Sequence, residues 1–182
     1  YLYEKATQII DEDAKKTVVC EGGKLFTSTA IIIATGTVER TLNIPGEMEM
    51  IGRGVSFCAV CDAAFYRNKP VVIVGAGNSA FEESLYLAEF ASHITILARS
   101  DKYNAEEITQ QKVKANPKIT ILPFRQSLEV MIENGKVAGM RVLNTQTNEE
   151  EIIPANGIFP YIGADPVTDF AKDLGITNAQ GY

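Results

Sequence analysis

Val71-Val-Ile-Val74-Gly75-Ala-Gly77-Asn-Ser-Ala80 is the stretch that decides the fold. Four consecutive branched apolar residues are the pattern of a strand buried on both faces, and here the run stops at a glycine. Gly75 permits a tight strand-to-helix turn, Gly77 lets the main chain approach a pyrophosphate, and the small Ala80 lets the next helix pack close to the strand. The helix predicted from Asn78 to about Ala91 places Phe81, Leu85 and Ala88 on one face. Its opening amides, at Asn78, Ser79 and Ala80, are suited to holding an anion. Ile94-Thr-Ile-Leu97 then supplies a second strand, completing a Rossmann-like βαβ unit. Bracketed in this way, the Gly-x-Gly-x-x-Ala sequence predicts dinucleotide binding.

The end of the second strand selects the nucleotide. An acid there binds the ribose diol of NAD, whereas an arginine accommodates the 2′-phosphate of NADP. The strand ends Ala98-Arg99-Ser100-Asp101, so Arg99, with Ser100 beside it, leans toward NADP with NAD as the alternative.

Ahead of the first strand stands Cys58-Ala-Val-Cys61-Asp62. The two-residue spacing keeps the thiols within disulfide reach. A helical turn opening near Cys58 would lower a thiol pKa and favour the thiolate. Zinc binding fits poorly, because only Cys20 and His93 remain to complete four ligands, and no metal is predicted. An inert pair is the plain alternative. A thioredoxin module is excluded by order, since a strand and a glycine turn follow the dithiol. Asp62 is placed to exchange a proton with a departing or attacking thiol, or else simply to complement the helix dipole. Cys58, Cys61 and Asp62 are therefore the candidate catalytic residues. Cys20, inside an apolar run, reads as a small buried hydrophobe.

The 182 residues, 46% of them hydrophobic, suffice for one full domain and pieces of a second. A net charge of −6 argues against a sequence-independent grip on nucleic acid. No run approaches the roughly 20 apolar residues of a membrane helix, and the start lacks a secretory pattern, so a cytoplasmic location is predicted. Antiparallel strands are predicted at Ala6 to Ile10, Thr17 to Cys20 and Leu25 to Thr27, with a buried strand over Ala30-Ile-Ile-Ile-Ala34. Leu42 to Gly46 reads as a connector. After a helix from Ala105 to Lys114 and a strand from Ile119 to Leu122, the pattern turns antiparallel around Asn134-Gly135. Leu128 to Ile132, Lys136 to Leu143 and Glu151 to Ile153 form a three-stranded meander, Gly157-Ile-Phe159 returns to the main sheet, and Ile162-Gly163-Ala-Asp165-Pro166 is a turn. Glu149-Glu-Glu151 reads as a solvated turn that begins the following strand, and His93 and Tyr161 as structural residues.

Taken in order, Ile33-Ala-Thr-Gly36, Gly54-Val-Ser-Phe-Cys58-Ala-Val-Cys61-Asp62, Phe65-Tyr66-Arg67, Val74-Gly-Ala-Gly77-Asn-Ser-Ala80 and Glu82-Glu83 closely resemble the bacterial low-molecular-weight thioredoxin reductases. The resemblance spans essentially the whole chain. It implies an α/β fold in which residues 51–158 are an NAD(P)-binding domain inserted into a partial FAD domain formed by 1–50 and 159–182. It also implies transfer of electrons from NADPH through FAD to a Cys58–Cys61 disulfide and on to thioredoxin, with Asp62 handling protons, in a homodimer whose domains swing. Ile162 and Gly163 join the expected cofactor contacts by the same likeness.

Two departures stand out. NADPH-dependent members show His-Arg-Arg-Asp-x-x-Arg where this chain has Ala98-Arg99-Ser100-Asp101-Lys102-Tyr103-Asn104, so two of three arginines are missing. The family's first glycine turn, for the FAD pyrophosphate, has no counterpart here, nor has its later Gly-Asp motif. The chain is therefore expected to be a piece of the enzyme that does not retain FAD tightly. Reduction of another disulfide partner, and a non-catalytic redox-sensing nucleotide module, are the competing functions.

Overall fold

The computed structural model describes residues 3–12 and 14–182. They form two compact units, one from the residues up to Glu39 together with Ala164–Tyr182, the other from Arg40–Gly163. The boundaries drawn from sequence lie at 50 and 158. Met50, Ile158 and Phe159 all pack into the cores of the second unit.

In the first unit β1 (Ala6–Glu12), β2 (Lys15–Cys20) and β3 (Leu25–Ser28) make an antiparallel sheet in that order. Ile9, Thr17 and Cys20 are its buried side chains, and Cys20 is a free thiol, as expected of a small buried hydrophobe. The aliphatic run Ala30 to Ala34 is a correction to the sequence reading. It forms no strand, and Ile32 is 93% exposed. A strand needs a neighbour to take its N–H and C=O groups, and none of the described residues pairs with this run. β4 (Thr37–Glu39) follows it.

The first helix of the second unit is α1 (Glu47–Met50), which directly follows the Leu42–Gly46 connector. Glu47 is wholly buried and accepts the N–H groups of Leu42 and Asn43, each at 2.8 Å. Those bonds replace the water its carboxylate has lost and tie the connector down. Next come α2 (Ala59–Asp62), a 3₁₀ turn over Ala63–Tyr66, β5 (Pro70–Val74), α3 (Asn78–Leu87), β6 (His93–Leu97), α4 (Glu107–Ala115) and β7 (Ile119–Leu122). The meander is β8 (Arg125–Glu133), β9 (Lys136–Asn144) and β10 (Glu149–Pro154), and β11 (Gly157–Pro160) ends the unit. β12 (Ala164–Pro166), read from sequence as a turn, pairs with β4 in the first unit.

The parallel sheet runs β11-β5-β6-β7. Because side chains alternate along a strand, Val71 and Ile73 enter one core and Val72 and Val74 the other. The first core is completed by Ala80, Phe81 and Leu87 of α3 and Val113 of α4. The second is completed by Val130, Val137, Met140 and Val142 of the meander. β5 is therefore covered on both faces, which is why its sequence is continuously apolar. Glu149-Glu-Glu151, read as a solvated turn that begins a strand, opens β10: Glu149 and Glu150 are exposed as expected, already paired with β9, while Arg141 bonds Glu150 at 2.8 Å and Arg125 pairs with Glu151 across the sheet. Among the described residues no helix is long and apolar enough to cross a membrane.

The β8–β9 turn bears out the Asn-Gly signal: Asn134 has φ +52° and Gly135 φ +71°, with Glu133 facing Lys136. A Cβ on Gly135 meets nothing within 4 Å, so Gly135→Ala suffers only the strain of the left-handed backbone. We expect a loss of about 1 kcal/mol, read as a lower urea midpoint at unchanged slope.

Candidate functional site

In a parallel sheet all carboxyl ends lie along one edge. Gly75 follows β5, Ala98 to Ser100 follow β6, and Tyr161 to Gly163 follow β11, so the residues singled out for nucleotide binding share that edge. Gly75 has φ +136°, and a Cβ there would sit 2.1 Å from the Tyr161 carbonyl oxygen. Only glycine fits. Gly77 is extended at the N-cap of α3, and a Cβ added to it would meet nothing within 4 Å, so the space in front of it is open. The first helical bond runs from the Phe81 N–H to the Gly77 carbonyl at 3.2 Å, leaving the amides of Asn78, Ser79 and Ala80 outside the helical ladder. Asn78 and Ser79 are exposed, while Ala80 is buried against the strand.

The loop after β6 is tied to this turn. The Asn104 N–H donates to the Ala76 carbonyl at 3.0 Å, and the Glu106 N–H donates to Asn78 Oδ1 at 2.7 Å. Arg99, exposed, therefore stands on a loop anchored to the glycine turn. The Ser100 hydroxyl is engaged locally, accepting the Lys102 N–H at 3.3 Å and donating to the Lys102 carbonyl at 3.1 Å. Ile162 packs against the second core, and the Gly163 carbonyl accepts the Arg40 N–H at 3.0 Å.

Cys58 and Cys61 form a disulfide, with Cα atoms 5.3 Å apart. Cys58 caps α2: its Sγ accepts the Cys61 N–H at 3.2 Å and its carbonyl accepts the Asp62 N–H at 3.1 Å. Ser56 Oγ takes the Cys58 N–H at 3.1 Å. The helical turn expected at Cys58 is thus present. Cys61 is exposed and Cys58 half-buried, so the sulfurs are reachable from outside the core. Asp62, half-buried, ends the same turn. Burial, and then the Asp62 charge, raise the Tyr66 phenol above its ordinary pKa. On α3, burial and the neighbouring Glu82 raise the Glu83 carboxyl, one of whose oxygens is buried without a hydrogen-bond partner.

Dithiol and glycine turn meet through Tyr161, a residue that reads as packing from sequence and comes near the nucleotide only by the family likeness. Its hydroxyl accepts the Ala59 N–H at 3.0 Å, and its own N–H donates to the Val74 carbonyl at 2.7 Å. A lone aromatic after a strand carries no signal that could have shown this.

Fold and site together define an α/β domain with a glycine turn at the carboxyl ends of its parallel strands and a disulfide on the segment leading into β5. The chain belongs to the pyridine nucleotide-disulphide oxidoreductase family, whose model matches residues 1–182. It is 43% identical over 182 residues to the thioredoxin reductase of Bacillus subtilis strain 168, covering 100% of this chain and 57% of that protein. It is 40% identical over 183 residues to the thioredoxin reductase of Listeria monocytogenes serovar 1/2a, again covering 100% and 57%. The crystal structure of Lactococcus lactis thioredoxin reductase in its FR conformation matches with a TM-score of 0.87 at 41% identity, covering 100% of this chain and 59% of that one. The resemblance read from the motifs is borne out, and the chain spans 57% of the length of these curated relatives.

Proposed function

We propose that the protein carrying this chain is a cytoplasmic, homodimeric flavoprotein disulfide reductase that passes electrons from NAD(P)H through Cys58–Cys61 to thioredoxin. The observation that carries this reading is the Cys58–Cys61 disulfide, held on a turn that Tyr161 ties to an open glycine turn. The relatives named thioredoxin reductase support the choice of acceptor.

Gly75 and Gly77 bring the main chain to the pyrophosphate, the amides of Asn78, Ser79 and Ala80 take its charge, and Arg99 and Ser100 meet the adenosine ribose. Ile162 and Gly163, on the same edge, complete the cofactor contacts. FAD, when bound, supplies the two-electron relay between nicotinamide and disulfide. The glycine turn of the described residues suits one dinucleotide, the pyridine nucleotide, so no residue is assigned to the flavin pyrophosphate.

The disulfide takes up two electrons and two protons and becomes two thiols. One thiolate attacks the acceptor's disulfide, forming a mixed disulfide and releasing an acceptor thiolate. The second cysteine resolves it, so that the acceptor leaves with two thiols and Cys58–Cys61 is restored. Asp62, on the same turn, gives and takes the proton at sulfur.

The test is turnover of the intact protein with thioredoxin, comparing NADPH with NADH. NADPH is expected to be preferred, and Arg99→Ala to raise its KM about tenfold, as loss of a charge-assisted contact to phosphate does, with the KM for NADH unchanged. An equal change for both nucleotides removes Arg99 from the selector role, and reduction of a different disulfide in preference to thioredoxin overturns the choice of acceptor.

A further inference from the structure

Tyr161 touches both halves of the site. Its main chain closes the nucleotide turn, with its N–H on the Val74 carbonyl at 2.7 Å and its carbonyl oxygen over Gly75, where a Cβ would come to 2.1 Å. Its hydroxyl receives the N–H of Ala59, which lies between the two cysteines and is 1% exposed. A buried helix-opening amide without a partner is costly, so this bond fixes where the turn bearing the disulfide begins. Between the two ends the phenol ring is stiff. It stacks on Phe159 at 6.4 Å, and Phe159 meets Tyr66, just beyond the dithiol turn, edge-on at 5.2 Å. One aromatic side chain thereby links the glycine turn to Ala59.

We propose that Tyr161 is a positioning residue that couples occupancy of the glycine turn to the reactivity of the Cys58/Cys61 dithiol. The coupling rests on the nucleotide reading given above. Ser56 offers an internal comparison. It anchors the same turn through the Cys58 N–H at 3.1 Å, while its own N–H goes to the Ile158 carbonyl at 3.0 Å, away from the glycine turn.

The intact protein is reduced with dithiothreitol and desalted, and alkylation of the dithiol by iodoacetamide is followed from pH 5 to 9 with and without saturating NADP⁺ or NAD⁺. Nucleotide binding to the same samples is measured by calorimetry. In the wild type the bound nucleotide is expected to change the alkylation rate about fivefold, the size of a modest coupling. In Tyr161→Phe, which keeps the ring and the main-chain contacts, the nucleotide still binds but the change disappears. In Ser56→Ala the basal rate moves and the nucleotide effect stays. Persistence of the effect in Tyr161→Phe, or its equal loss in Ser56→Ala, overturns the coupling. So does a wild type that binds nucleotide without any change in alkylation, and that result leaves the proposed function standing. A wild type that binds neither nucleotide overturns both. Hydrogen exchange at the Ala59 amide of the wild type gives a reading free of any variant: nucleotide is expected to alter it, and no alteration counts against Tyr161.

Discussion

Cys58→Ser lowers NAD(P)H-driven reduction of a protein disulfide by at least about a thousandfold, the scale of losing a covalent nucleophile, and leaves nucleotide affinity unchanged. Serine can still accept the Cys61 N–H that Cys58 Sγ accepts at 3.2 Å, so the cap of α2 survives the substitution. What disappears is the disulfide itself, and with it the only described pair of cysteines able to hold two electrons, since Cys20 is buried in the other unit. Oxidation of NADPH in the presence of thioredoxin, with thiol release counted in parallel, gives the answer. Electron flow to protein disulfides that survives Cys58→Ser ends the catalytic reading of the dithiol. The redox-sensing alternative predicts the opposite pattern, with no turnover in the wild type to lose.

The second large effect separates two glycines that look alike in the motif. At Gly75 an added Cβ meets the Tyr161 main chain at 2.1 Å and the backbone sits at φ +136°, so the clash cannot be relieved by a side-chain rotation. Gly75→Ala is expected to cost about 3–5 kcal/mol, from strained backbone and overpacking together. Gly77 is different: its backbone is extended and the space beside it is open. Gly77→Ala should leave the fold intact, with a small gain of about 0.5 kcal/mol from a stiffer unfolded chain. Its effect falls on the ligand, because the methyl group occupies the approach of the pyrophosphate, and nucleotide affinity should drop at least about tenfold. Denaturant melts and nucleotide titrations of the two variants check the contrast. If Gly77→Ala binds as tightly as the wild type, the pyrophosphate does not lie against this turn.

The parallel sheet is legible in the sequence because its residues face one kind of surroundings. Val71 to Val74 and Ile94 to Leu97 are buried on both faces of the sheet, and the two runs are apolar almost throughout. Asn134-Gly135 is legible because few residue pairs adopt two positive φ angles in succession. Ala30 to Ala34 misleads for the converse reason: its composition suits a strand, but strand formation depends on a partner that composition does not reveal. Glu149 and Glu150 face solvent, as three acids suggest, but their membership of β10 is not legible, because Arg141 and Arg125, which pair with Glu150 and Glu151, lie elsewhere in the sequence. In the site, spacing alone exposes Cys58, Cys61 and the glycine turn. Tyr161 and Glu47 stay hidden, since each acts through main-chain N–H groups distant in sequence or screened by burial, and such bonds leave no mark on the residues that donate them.

The order of strands in the parallel sheet also bears on how the polypeptide emerges from the ribosome. β5 lies between β6 and β11, and β11 is the last of the four to be synthesised. One side of β5 therefore stays without its ladder until Pro160 has left the exit tunnel, on the order of ten seconds after Val74 at about 5–20 residues per second. During that interval a bare, aliphatic, hydrogen-bonding edge is on offer to any other nascent chain. Engagement by a chaperone during synthesis, ending when the 157–160 segment docks, is the expected result of this topology.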